Sequence, residues 1–241
     1  MFYLISLGLE NDDVTAKAIK AMKECRTLYF EGYTSIGVDI ERLSRLLDKN
    51  IIKVEREFIE RKSDFILDEA RKKNVGLLVQ GDCLSATTHI SLLMDCIKKK
   101  IPYNVVHGVS VLTAVGGTGL SLYNFGKTAS IPFERNNLKV PYGILKENLS
   151  KGMHTLFLLD LDPKNNKFLS IPEALEYLLG KGMDNRMCVG CCGLGSENQI
   201  VKYGRAKELL KEQFKTYPQC LIIPGKMHFM EEDFLENFRI K

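Results

Sequence analysis

Apolar residues come in short, nearly unbroken runs, separated by longer stretches in which they recur every three or four positions. The runs at 2–9, 27–30, 51–54, 75–80 and 103–107 have the length of strands. Helices are expected between them. Residues 12–25 put Val14, Ala18, Met22 and Cys25 on one face, and residues 86–100 put Ile90, Leu93 and Ile97 on one face. Further strands are expected at 128–132, 155–161, 187–192 and 219–223, again with helices between. Ser170-Ile171-Pro172-Glu173 reads as a capping box with an early proline, ahead of Ala174, Leu175 and Leu178. Residues 205–214 put Ala206, Leu209, Leu210 and Phe214 on one face. Strands alternating with amphipathic helices predict an α/β architecture. The rhythm breaks at Gly116-Gly117-Thr118-Gly119, so two α/β domains are expected, residues 1–124 and 125–241. The polar stretch 134–137 reads as a loop, and the sequence holds no internal repeat or low-complexity segment.

Composition narrows the class only slightly. The chain has 241 residues, 45% hydrophobic and 27% charged, as ordinary globular proteins do. A net charge of +4 from 34 basic and 30 acidic residues is too balanced to argue for nucleic acid. The run Lys98-Lys99-Lys100 sits at an expected helix end, where cations favour the dipole. No apolar run is long enough to span a bilayer, and the amino-terminal stretch reads as a strand rather than a signal peptide. With seven cysteines and no secretion signal, free thiols in a reducing, cytoplasmic compartment are expected. Cys188, Cys191 and Cys192 lie in an apolar run without a second ligand pair of matching spacing, so they read as small core side chains rather than a metal site.

Candidate chemistry clusters where strands end. The strand at 75–80 runs into Gly81-Asp82, where glycine allows close backbone approach and the carboxylate stands beside the N–H groups of the coming helix. Ser85, Thr87 and Thr88 add hydroxyls at the expected helix start. Asp82 also suits a helix cap, and capping is compatible with ligand contact. Four other segments end strands in the same manner: Leu7-Gly8-Leu9-Glu10, His107-Gly108-Val109-Ser110-Val111, Leu158-Leu159-Asp160 and Pro224-Gly225-Lys226-Met227-His228. Ser110 is placed to cap a helix over 111–115. His89 and His154 read as structural hydrogen-bonders, and Leu9, Val111, Leu159 and Leu194 as core residues on pattern alone. No G-x-G-x-x-G opens a helix after the first strand, which disfavours a dinucleotide oxidoreductase.

These residues resemble a known family, the diphthine synthases of the tetrapyrrole-methylase-like class. The resemblance covers essentially the whole chain. It is carried by Gly8-Leu9, Tyr33-Thr34-Ser35, Gly81-Asp82 with Ala86-Thr87-Thr88-His89, Ser110 with Ala114-Val115-Gly116, Phe125-Gly126-Lys127, Gly152-Met153-His154-Thr155-Leu156, Leu159-Asp160, and Pro224-Gly225-Lys226 with His228. It implies two-domain subunits forming a homodimer, with S-adenosylmethionine in a cleft between the domains. Cofactor-binding positions would be Leu9, Asp82, Ser85, Ser110, Val111, Leu159, Leu194 and His228. The implied substrate is a histidine of translation elongation factor 2 bearing a 3-amino-3-carboxypropyl group. Its amine would become a quaternary ammonium, and in some members the carboxylate is also esterified. Nothing in the sequence singles out a base to deprotonate that amine, and no metal is implied.

Three positions depart from the family pattern. Ser6 stands in place of a glycine, Cys83 in place of the proline after Gly-Asp, and Gly193 in place of an arginine before Leu194-Gly195-Ser196. The family's tryptophan-bearing loop is also missing from 133–141. Two alternatives stay open: a small-molecule, corrinoid-type methylase of the same fold, against which Ala86-Thr87-Thr88-His89 and His154-Thr155-Leu156 argue, and a non-catalytic protein that binds the elongation factor, which the departures at Ser6, Cys83 and Gly193 motivate.

Overall fold

The computed structural model describes residues 1–240, with the backbone alone at 60–62. The chain divides into two compact units, the first Met1–Leu112 and the second from Thr113 onward. The sequence pattern put residues 113–124 with the first half. They group with the second because the Ser121 N–H donates to Glu231 (2.7 Å) and Phe234 packs directly on Gly119.

The first unit holds five strands, β1 (Phe2–Ser6), β2 (Thr27–Glu31), β3 (Ile51–Val54), β4 (Val75–Val79) and β5 (Tyr103–Val106). All pair in parallel in the order β3-β2-β4-β1-β5. β1 and β4 are apolar at almost every position because they are central and covered on both faces. Helices α1 (Ala16–Glu24) and α2 (Ile40–Leu47) cover one face, α3 (Arg56–Ala70) and α4 (Ile90–Lys98) the other. Thr15 caps α1 through the Ala18 N–H, and Asp39 caps α2 through the Glu41 and Arg42 N–H groups. One turn, α5 (Val111–Ala114), follows β5.

In the second unit the strands are β6 (Ala129–Ile131), β7 (Thr155–Leu159), β8 (Leu161–Asp162), β9 (Lys167–Phe168), β10 (Met187–Cys192), β11 (Ile200–Arg205) and β12 (Gln219–Ile223). A mixed sheet runs β11-β10-β12-β7-β6, with only β6 and β7 parallel, and β8 pairs with β9 alone. Its helices are α6 (Val140–Ser150), α7 (Ile171–Gly180), α8 (Ala206–Leu209) and α9 (Phe229–Leu235). The Ser170–Glu173 capping box forms as expected. All seven cysteines are free and buried, Cys188, Cys191 and Cys192 within β10. No helix of the described residues is long and apolar enough to cross a membrane.

Three expected elements are shorter than the apolar pattern implies. The first helix begins at Ala16, after a 3-10 turn at Asn11–Asp13, because Thr15 supplies the cap. The helix expected over 86–100 begins only at Ile90, since Ala86 takes a left-handed backbone (φ +58°) that a helix cannot include. The helix expected over 205–214 ends at Leu209.

Candidate functional site

The chain leaves β1 toward β2 on one side of the sheet and leaves β4 toward β5 on the other. β1 and β4 are neighbours, so their carboxyl ends flank the point where an open α/β sheet parts and ligands bind. Gly8 and Gly81 bridge this point with two backbone hydrogen bonds, Gly8 N–H to Gly81 O (3.2 Å) and Gly81 N–H to Gly8 O (2.7 Å). Both are left-handed, but for different reasons. A Cβ on Gly8 would collide with Asp13 at 2.3 Å, whereas one on Gly81 would meet nothing within 4 Å. Gly81 therefore leaves open space where a ligand can approach the backbone.

Asp82 ties the loop after β4 to the loop after β5. Its Oδ1 accepts from the Leu84 N–H (3.0 Å) and the Ser85 hydroxyl (3.1 Å). Its Oδ2 accepts from the Gly108 N–H (3.2 Å) and contacts His107 Nδ1 (2.9 Å). Burial pushes its pKa up, but those four partners outweigh it and hold the carboxyl below its ordinary value. A carboxylate has about four acceptor directions, and all are in use. Asp82 thus shapes the two loops rather than offering a free oxygen. Ser85 spends its hydroxyl on the same carboxylate, and Ser110 caps the turn at Val111 by accepting from the Leu112 N–H (3.1 Å). Leu9 is held at both backbone atoms, its N–H by Asp13 (2.9 Å) and its carbonyl by Gln80 (2.8 Å). Gln80 was not singled out in the sequence; it also bonds Gly8 O and the Val38 N–H, and so fixes the loop after β1. The helix start expected to present Ser85, Thr87 and Thr88 is instead a turn, in which Thr87 bonds Cys83 O (2.6 Å).

The departures from the family pattern are met internally. The Cys83 N–H, which proline would lack, donates to the Ser6 hydroxyl (2.9 Å), which glycine would lack. Ser6 is fully buried there. Gly193 takes a left-handed backbone (φ +53°) that an arginine would adopt only under strain.

In the second unit the expected residues separate. β7 and β10 run the same way, and β12 runs against both. Leu159, closing β7, and Leu194, just past β10, therefore lie at one edge of the sheet. His228, past the end of β12, lies at the other. It borders a cavity of about 510 Å³ lined by Ser121, Tyr123, Asn124, Glu231 and Phe234. Beneath it, the buried His154 accepts the Gly225 N–H at Nδ1 (2.9 Å), so Nε2 carries the proton and faces Glu231 Oε1 (3.4 Å). Glu231 also accepts from the Ser121 and His228 N–H groups, both at 2.7 Å. Burial raises its pKa, but these donors and His154 prevail and pull it down to about 2. His154 is structural, as its place ahead of a buried strand suggested.

Comparison with known proteins decides the family. The model of the tetrapyrrole (corrin/porphyrin) methylases matches residues 1–210. The diphthine synthase of Methanosarcina mazei is 40% identical, covering 98% of this chain and 94% of the relative, and that of Methanococcus maripaludis is 38% identical over 98% of both. The chain belongs to the diphthine synthases of the tetrapyrrole methylase family. A crystal structure of diphthine synthase superposes with a TM-score of 0.92 at 33% identity, covering 99% of this chain and 95% of that one. As a member, the chain is a methyltransferase that uses S-adenosylmethionine, and its α/β fold is the family's.

Proposed function

We propose that this diphthine synthase methylates the amine of a 3-amino-3-carboxypropyl group on a histidine of translation elongation factor 2, within diphthamide biosynthesis. It does so as a cytoplasmic homodimer. The observation that supports a cofactor site in the first unit is the bridged carboxyl edge, where Gly81 leaves open space beside the Asp82 network. That edge fits S-adenosylmethionine chemically. Leu9 and Val111 are half-buried apolar side chains suited to its adenosyl part, and Ser85 and Ser110 belong to the loops after β4 and β5 that Asp82 joins. Asp82 acts by fixing the loops. Leu159 and Leu194, which share one edge of the second unit's sheet, are proposed as further cofactor positions, and His228, at the other edge, is set apart from them.

The cofactor supplies a methyl group on a sulfonium, whose sulfur is a good leaving group. The chain's task is then alignment and exclusion of water, and proximity alone supplies much of the rate. A loop pair wired by one saturated carboxylate gives the rigidity that alignment requires.

The test is mass spectrometry of elongation factor 2 carrying the aminocarboxypropyl-histidine, after incubation with this protein and S-adenosylmethionine. Three added methyl groups mean amine methylation alone, and four mean that the carboxylate is esterified as well. Unchanged mass, with cofactor binding demonstrated, overturns the substrate in favour of a small molecule.

A further inference from the structure

An amine attacks a methyl group only through a free electron pair, and an alkyl amine carries a proton at neutral pH. The chain must therefore dispose of that proton. Glu31 closes β2, opposite Val54 of β3 and Val79 of β4. It stands one strand from Gly81-Asp82, at the same carboxyl edge. Thr27 and Tyr29, on the same face of β2, bond Glu69 of α3 at 3.0 and 2.7 Å, which puts Glu31 on the α3–α4 side of the sheet. Its exposure is 0%. Its Oε1 accepts the Thr34 hydroxyl (2.5 Å), while its Oε2 has no hydrogen-bond partner. His89, ahead of α4 on that same side and 2% exposed, has none for either ring nitrogen. Buried polar groups are normally paired. Glu31 Oε2 and the His89 ring stand unmet at one edge of one layer.

We propose that Glu31 accepts the proton that the substrate amine loses before each methyl transfer, a role that rests on the function proposed above. The N–H bond breaks, its electron pair stays on nitrogen, and the proton forms an O–H bond at Oε2. The freed pair then bonds the methyl carbon as the carbon–sulfur bond breaks, its electrons going to sulfur. The carboxyl returns its proton to solvent before the next round. Three rounds remove three protons from a starting ammonium and leave a quaternary nitrogen with none. Burial lifts the Glu31 pKa to about 7, against the lowering by the Thr34 hydroxyl and the Tyr33 and Thr34 N–H groups, so it can both take and release a proton near neutrality. Among the described residues, the titratable groups on the facing elements include Glu55, Arg56 and Glu57 at the start of α3, Asp64 and Asp68 further along it, Tyr29 with the Glu69–Lys73 pair toward the far end of β2, Cys83 and His89 ahead of α4, the latter with its pKa lowered by burial, and Asp95, Cys96 and Lys98 on α4.

The test compares wild type, Glu31→Gln and Glu31→Asp, using S-adenosylmethionine and elongation factor 2 bearing the aminocarboxypropyl-histidine, from about pH 6 to about pH 10. Cofactor affinity is read by calorimetry, and carboxyl titration by NMR of ¹³C-labelled glutamate. In Glu31→Gln, kcat near neutral pH is expected to fall by about 10²- to 10⁴-fold, with cofactor affinity unchanged and activity returning as alkali deprotonates the amine itself. Glu31→Asp is expected to retain part of the rate, and the Glu31 signal to titrate near neutrality. A Gln variant with wild-type rate and pH profile overturns the inference while leaving the substrate assignment intact, and so does a Glu31 signal titrating at the ordinary value. A wild type that binds cofactor but leaves this substrate unmethylated overturns the substrate assignment and the inference together.

Discussion

A hydroxyl and an amide 77 residues apart in sequence hold the loop beneath Asp82: Ser6 accepts the N–H of Cys83. Both atoms are buried, and a buried N–H left without a partner costs about 1–3 kcal/mol. Ser6→Gly is therefore expected to destabilise the protein by that amount. Cys83→Pro removes the donor, so the two changes together should cost less than the sum of each alone, with a coupling of about 1 kcal/mol or more. Denaturant unfolding of the four proteins of this cycle measures it, and strict additivity would mean that the bond contributes nothing. The pair marks the limit of what single residues reveal in sequence. Asp82, Ser85 and Ser110 were legible because glycine and small polar residues at strand ends announce a loop. Ser6 could be read only as a departure, since the atom that satisfies it belongs to another strand's loop. Glu31 was hidden for the same reason: a glutamate at the end of an apolar run looks solvated until neighbouring strands and helices enclose it.

Helix α4 shows how an element can be placed correctly and turned wrongly. The spacing of Ile90, Leu93 and Ile97 suggested one buried stripe. In the structure Leu92, Leu93 and Cys96 face the sheet, while Ile90, Met94 and Ile97 are 54%, 51% and 62% exposed. The helix carries apolar residues over more than half its circumference, so periodicity admits both orientations. The left-handed Ala86, which delays the helix start, is invisible to such a count. Leu93→Ala is expected to cost about 2–4 kcal/mol and Ile97→Ala less than about 0.5 kcal/mol, as measured by chemical unfolding. Similar losses at both positions would restore the stripe expected from sequence. The same limit explains β11, which the sequence reading missed. Only its pairing with β10 shows Ile200–Arg205 to be a strand. It explains His228 as well, since β12 runs antiparallel to β7 and β10, a direction that the order of elements does not reveal.

Over the whole molecule, one buried glutamate in each unit ties stability to pH, and the two act in opposite senses. In the second unit the Glu231 pKa falls from the ordinary 4.5 to about 2 on folding. The folded state favours its ionised form, so its contribution is complete above pH 4.5 and is lost as pH drops toward 2. In the first unit the Glu31 pKa rises from 4.5 to about 7. Here the folded state favours the protonated form, so its contribution is complete below pH 4.5 and is lost as pH rises through 7. Each shift corresponds to roughly 3 kcal/mol at its limit. Burial also lowers the pKa of His89 and His154, which stabilises the fold above their ordinary value and blurs the wild-type curve between the two windows. Differences against single variants separate the contributions. Glu231→Gln should be less stable than wild type at neutral pH, with the gap closing between about pH 4.5 and about pH 2. Glu31→Gln should match wild type near pH 4.5 and exceed it increasingly toward pH 7 and above. Thermal or denaturant midpoints across this range give both curves, and a Glu31→Gln variant that is less stable than wild type at neutral pH would contradict the assignment. A gain in stability there, joined to the loss of methyl transfer expected of the same substitution, would identify Glu31 as a group the fold retains at a cost to itself. That is the trade-off expected where a buried acid serves chemistry rather than packing.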